Sequence, residues 1–165
     1  MPRAIAKGNF DQYNNVRAGA VRAIGETNDC TVVALAAATG CGYDKAHELL
    51  QRRGRKPRRG FSMHQVADAA KELGFSVTRV AASEFVSKYP EPHRSVLKGV
   101  TSHHPDRFNK VWRDGHNYWL CNSRHVLAVV NGTTIDWSRG RALRCDQIWR
   151  IEKSEQPVVK MYIPF

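Results

Sequence analysis

The sequence has few cysteines and no closely spaced pair of them. Its four cysteines include no C-x-x-C spacing, which argues against a zinc ribbon or a thioredoxin-type motif. They are also too sparse for the disulfide framework of a small secreted domain. We therefore expect free thiols in a reducing compartment.

Long apolar runs are missing as well. The longest, from Val32 to Ala38, is far shorter than the roughly 20 residues that a transmembrane helix needs. The first residues, Met1 to Lys7, lack the apolar centre of a signal peptide. These features predict a cytoplasmic protein with no membrane segment. The oligomeric state stays open.

Basic residues outnumber acidic ones by a wide margin. The chain of 165 residues has 26 Lys and Arg against 15 Asp and Glu, which gives a formal charge of +11. With 42% hydrophobic residues, one globular domain over residues 1–165 is expected. The positive charge suits an anionic partner such as nucleic acid, although it also promotes solubility.

Much of this charge falls in one loop. Pro57, Gly54 and Gly60 mark the segment as a loop. Contact with phosphate or RNA is one interpretation, and a solvated surface loop is the other. Its candidate anion-binding side chains are Arg52, Arg53, Arg55, Lys56, Arg58 and Arg59.

Helical patterns fill the first half of the chain, and strand patterns fill the second. Residues 1–25 are expected to form a loosely structured lead-in, residues 26–89 a mainly helical half, and residues 117–165 a sheet half. This order predicts an α+β fold with helices packed on an antiparallel sheet. Helices are predicted at 30–39, 43–53, 62–73 and 83–89, and strands at 75–80, 118–121, 124–130, 133–137, 146–152 and 158–163.

Cys30 follows a polar cluster and begins the alanine-rich helix. Asn28 and Asp29 are good N-cap residue types, so Cys30 should lie in the first helical turn. Free N–H groups and the helix dipole favour a thiolate there. Cys30 is therefore a candidate nucleophile, and the alternative is a small buried core residue.

A hairpin in the second half supplies a matching imidazole and carboxylate. Asn131-Gly132 between two β-rich runs predicts a two-residue turn that pairs Val130 with Thr133. His125 and Asp136 then become diagonal neighbours on one face, where a carboxylate can orient an imidazole. We expect the Cys30 helix to dock on that same face.

These blocks together resemble the papain-like cysteine peptidases. The resemblance lies in Asn28-Asp29-Cys30, in His125-Val126-Leu127-Ala128-Val129 and in Ile135-Asp136-Trp137, in that order. It is nearest to small bacterial and phage papain-like domains, including the bacteriocin-processing group, and it spans residues 25–137.

The resemblance implies a papain-like fold and a cysteine peptidase, isopeptidase or amidase that acts on a protein or peptide. It implies Cys30 as nucleophile, His125 as general base and Asp136 as the residue that orients it. The family often has a glutamine six residues before the cysteine, where this chain has Ile24. Asn28 or the backbone N–H groups near Asp29 would then form the oxyanion hole. No metal or cofactor is implied.

Two other interpretations remain. The chain could be a basic nucleic-acid-binding module, or a catalytically inactive papain-like fold that binds a host protein.

Overall fold

A computed structural model describes residues 8–80, 115–137 and 147–155, with side chains from residue 11 onward. The predicted helix at 83–89, the predicted strand at 158–163 and Cys145 lie outside the described residues. The helices are α1 (Gly8–Arg17), α2 (Cys30–Thr39), α3 (Tyr43–Arg52) and α4 (Met63–Glu72), with a 3-10 turn at Val21–Ala23. The strands are β1 (Phe75–Arg79), β2 (Asn117–Cys121), β3 (Val126–Val130), β4 (Thr133–Ile135) and β5 (Gln147–Lys153).

The strands form one antiparallel sheet in the order β1-β5-β2-β3-β4. Helix α2 is almost entirely buried, and it packs on β3 and against α3 and α4. Such a helix must be apolar on all sides, which explains its run of valine, leucine and alanine. The predicted α+β arrangement of helices on an antiparallel sheet is confirmed.

The local signals placed the helix ends well. Helix α2 ends at Gly40, which adopts a left-handed conformation with φ 72° and donates its N–H to the Ala36 carbonyl. Glycine reaches that conformation without a Cβ clash. Helix α4 begins at Met63, one residue after the predicted start at Ser62, and the Ser62 side chain makes no capping hydrogen bond.

The expectation of a loosely structured lead-in was wrong for residues 8–17, which form helix α1. This helix is mostly polar and has almost no amphipathic pattern, so periodicity could not reveal it. Its Tyr13 is buried, and the helix contacts β4 and α2. Tertiary contacts therefore stabilise α1.

The predicted docking face of the sheet was also wrong. Helix α2 packs on the face formed by Trp119, Val126, Ala128 and Ile135. The opposite face, with Leu127, is buried as well. Alternation could not distinguish the faces because every side chain from residue 126 to 129 is buried.

Candidate active site

Cys30 is the first residue of α2. The first helical bond runs from the Val33 N–H to the Asp29 carbonyl, at 3.0 Å. Two side chains of β2 fix the helix on the sheet: the Trp119 indole donates to the Ala34 carbonyl and the Asn117 amide to the Ala38 carbonyl, each at 2.9 Å. The sheet thereby sets the position of the Cys30 thiol.

The hairpin has the predicted register. Asn131 and Gly132 both have positive φ, of 50° and 74°, as a two-residue type I′ turn requires. Val130 pairs with Thr133 and Ala128 with Ile135. This pairing brings the residue before β3 and the residue after β4, His125 and Asp136, to the same end of the hairpin.

His125 bonds to Asp136 through one ring nitrogen. The distance from Nε2 to the Asp136 carboxylate is 2.6 Å, so the predicted contact is confirmed. Burial opposes a charge on the imidazole, but the hydrogen bond to Asp136 and the influence of Cys30 outweigh it and raise the pKa of His125 to about 9. Nδ1, the other ring nitrogen, is buried and has no hydrogen-bond partner among the described residues.

Two further contacts restrain His125. The indole of Trp137 stacks on its ring with 4.4 Å between centroids, which covers the imidazole. The Asn122 side-chain oxygen accepts backbone N–H bonds from Arg124 and His125 at 2.8 and 2.9 Å. The Asn122 side chain thus constrains the loop before β3, and Trp137 restrains the orientation of the imidazole ring.

Asp29 is the centre of a buried polar cluster next to Cys30. Its carboxylate accepts hydrogen bonds from Tyr13 and Tyr43 and pairs with Arg17 at 3.0 Å. Burial and the bond to Asp29 raise the pKa of both tyrosines. The ring of Tyr13 also meets Trp137 edge-on at 6.2 Å. Helix α1 therefore contacts both the Cys30 side and the His125 side of the site.

Glu26 is the centre of a second buried cluster, which ties the basic loop to the segment before Cys30. Its carboxylate contacts His47 at 2.7 Å and Arg55 at 3.2 Å, and it accepts the backbone N–H of Arg58. Burial would raise the pKa of Glu26, but these bonds hold it below its ordinary value.

This cluster corrects the prediction for the basic loop. Arg55 is only 3% exposed and pairs with Glu26, so it is not available to an outside anion. Arg53 pairs with Glu72 at 2.9 Å. The exposed cations of the loop are Arg52, Lys56, Arg58 and Arg59.

A cleft of about 430 Å³ opens beside Cys30 and His125. One wall is the loop before α4 and its first residue, and the other is the loop before β3. Sequence patterns gave no sign that these two loops face each other, because they lie far apart in the chain. The other lining residues are Thr31, Gly60, Phe61, Ser62, Met63, Asn122, Ser123, Arg124 and Val126.

The predicted oxyanion donors differ in their suitability. The Asn28 amide donates to the Arg58 carbonyl at 3.2 Å, and the Asp29 side chain is an acceptor that is already occupied. Ile24 is 82% exposed and apolar, so it replaces no amide donor. Since Asp29 makes no side-chain cap, the backbone N–H groups at the start of α2 are the donors that suit an oxyanion.

Across residues 8–80, 115–137 and 147–155, no three His, Cys, Asp or Glu side chains cluster as a metal site requires. No helix within these ranges has the length and apolar character needed to span a bilayer.

Comparisons of the chain with models of protein families, with curated proteins and with solved structures found no match. Functional conclusions therefore depend on the chemistry of the site and on the resemblance of its motifs.

Proposed function

We propose that the protein is a cysteine hydrolase of the papain-like type that cleaves an amide or isopeptide bond in a protein or peptide. The observation that carries the proposal is the His125 imidazole, which bonds to Asp136 through Nε2 and lines the same cleft as Cys30. A raised imidazole pKa favours an imidazolium beside the thiol, the state in which the sulfur is nucleophilic.

In the first step, the Cys30 sulfur attacks the substrate carbonyl carbon. A C–S bond forms, and the carbonyl electron pair moves to the oxygen, which the N–H groups at the start of α2 stabilise. His125 then gives its Nδ1 proton to the amide nitrogen. The C–N bond breaks, the amine leaves, and a thioester to Cys30 remains.

In the second step, His125 takes a proton from a water molecule that attacks the thioester carbon. The C–S bond breaks and its electron pair returns to sulfur. The products are a carboxylic acid, the amine and the free enzyme. Asp136 holds the imidazole tautomer with Nε2–H toward the carboxylate, and Trp137 covers the ring during both steps.

The test begins with thiol reactivity. We expect iodoacetamide to modify Cys30 faster than Cys41, Cys121 or Cys145 near neutral pH. Burial raises the pKa of the Cys41 thiol, and Cys121 is buried in β2. Peptide mapping by mass spectrometry measures each rate. His125→Ala should slow the labelling of Cys30 alone, and equal rates at all cysteines would contradict the assignment.

The second test is bond cleavage. A peptide library incubated with the wild-type protein should show new termini that neither Cys30→Ser nor His125→Ala produces. The Cys30→Ser variant is the matched control because it exchanges one atom of a side chain that is already small. Cleavage that persists in both variants would overturn the proposal.

A basic nucleic-acid-binding module is the second candidate. It is favoured by the formal charge of +11 and by the exposed side chains of Lys56, Arg58 and Arg59. For such a module, the logarithm of the association constant for nucleic acid falls linearly with the logarithm of salt concentration. A wild-type protein that binds oligonucleotide in this way and cleaves no peptide would support it.

A further inference from the structure

We propose that the cleft selects polypeptide substrates with acidic residues beside the scissile bond, through cations on both of its walls. This inference rests on the proposed hydrolase function and adds its substrate class. The cationic rim is formed by Arg58 and Arg59 on one side and Arg124 on the other.

The loop side of the rim is fixed against the nucleophile segment. The backbone of Arg58 is held at both ends, since its N–H donates to Glu26 and its carbonyl accepts from Asn28, two residues before Cys30. Arg58 has φ 60° and Asn28 has φ 50°, which is unusual for residues other than glycine. Gly60 is part of the cleft wall, and Arg59 immediately precedes it in the chain. The side chains of Arg58 and Arg59 are exposed.

The hairpin side of the rim is Arg124. This exposed residue lines the cleft and directly precedes His125. Its backbone N–H donates to the Asn122 side chain at 2.8 Å, which fixes the loop that carries it. Arg124, Arg58 and Arg59 form no salt bridge with any other residue in the described parts of the chain.

The carboxylates of the site do not cancel this charge. Glu26, Asp29 and Asp136 are all buried, and each already has cationic or hydrogen-bonding partners. None of the described residues that line the cleft is an aspartate or a glutamate. An incoming chain therefore meets Arg124 in the cleft, and the exposed Arg58 and Arg59 in the loop that leads to its Gly60 wall.

The location of the rim favours a polypeptide over a nucleic acid. The cleft that Arg124 lines contains a thiol and an imidazole suited to acyl transfer, and a nucleic acid offers no amide in its backbone for that chemistry. Arg52, another exposed cation of the basic loop, is the last residue of α3. Charge is thus placed where a substrate enters the site.

Alkylation of Cys30 by two reagents of different charge tests the inference without a known substrate. Iodoacetate is an anion and iodoacetamide is neutral, so the ratio of their rate constants at Cys30 reports the local potential. At an ionic strength of about 10 mM, we expect each arginine-to-glutamine change in the rim to lower this ratio about twofold. Arg58→Gln/Arg59→Gln/Arg124→Gln should lower it about fivefold or more, and 1 M salt should remove the difference.

Arg79→Gln is the matched control. Arg79 is an exposed cation on β1, which lies three strand spacings, roughly 14 Å, from β3 across the sheet. Because the Debye length at about 10 mM is about 30 Å, its ratio should fall, but by less than that of any single rim variant. An unchanged ratio in the triple variant at low salt would overturn the inference while leaving Cys30 a nucleophile. Failure of iodoacetamide to prefer Cys30 would instead overturn the proposed function.

Protection experiments identify the class of substrate. We expect hexaglutamate to slow iodoacetamide labelling of Cys30 in the wild type, and the triple variant to need at least fivefold more of it. Hexalysine should give no protection. Absence of protection by hexaglutamate would overturn the inference. Protection by a six-residue oligothymidylate at lower concentration would overturn it in favour of nucleic acid.

Discussion

Asp136→Asn removes a negative charge from the buried His125–Asp136 pair while it keeps the shape of the side chain. In the wild type, burial opposes the imidazolium, and the contacts with Asp136 and Cys30 stabilise it. With asparagine at position 136, only Cys30 is left to offset the lowering of the His125 pKa by burial. We therefore expect the pKa of His125 to fall from about 9 to near or below its ordinary value of 6.5.

The size of the effect follows from the pKa of His125. A rise from 6.5 to about 9 corresponds to roughly 3 kcal/mol in favour of the charged ring. Because the folded pKa is raised, this stability is fully present below pH 6.5 and is lost as the pH rises through 9. Asp136→Asn should thus cost most at pH 6 and progressively less toward pH 10.

The assay is NMR titration of the His125 imidazole, with urea unfolding of both proteins at pH 6 and pH 10. Asp136→Glu is the control that keeps the charge. A wild-type His125 that titrates near 6.5 would refute the reasoning, and so would an Asp136→Asn variant whose stability loss is the same at both pH values.

Three further substitutions test the surrounding site. Cys30→Ala should lower the free energy of unfolding by only about 1 kcal/mol, measured by thermal unfolding, because the side chain is small. It should also lower the pKa of His125 in the NMR titration. Global unfolding of this variant would mark Cys30 as a structural residue. Glu26→Gln should cost about 3 kcal/mol at pH 7 through the loss of its buried ion pair with Arg55. Because the folded pKa of Glu26 lies below its ordinary value of 4.5, this cost should shrink only as the pH falls from 4.5 through the lowered pKa; an unchanged cost across that range would contradict this. Tyr13→Phe removes one hydrogen bond to Asp29 and should lower the free energy of unfolding in urea by roughly 1–3 kcal/mol. The His125 titration should stay near pH 9, because the Tyr13 ring still contacts Trp137. A shifted titration would show that the hydroxyl rather than the ring supports the imidazole.

The sequence was sufficient wherever a local signal set the geometry. Asn131-Gly132 determined a two-residue turn because both residues tolerate positive φ, and that turn alone sets the register that brings His125 to Asp136. The end of α2 at Gly40 follows from a local signal in the same way, because glycine adopts the left-handed cap conformation. These features involve residues close in the chain, so composition and spacing contain the information.

Contacts between distant segments had to come from the tertiary structure. Nothing local distinguishes Arg55 from Arg58 in the basic loop, yet one side chain is buried on Glu26 and the other is exposed. Helix α1 lacks an apolar stripe and is anchored by Tyr13, whose partner Asp29 lies 16 residues away. A side chain's burial and charge state depend on which segments pack against it, and that choice is made by the whole core rather than by neighbours in sequence.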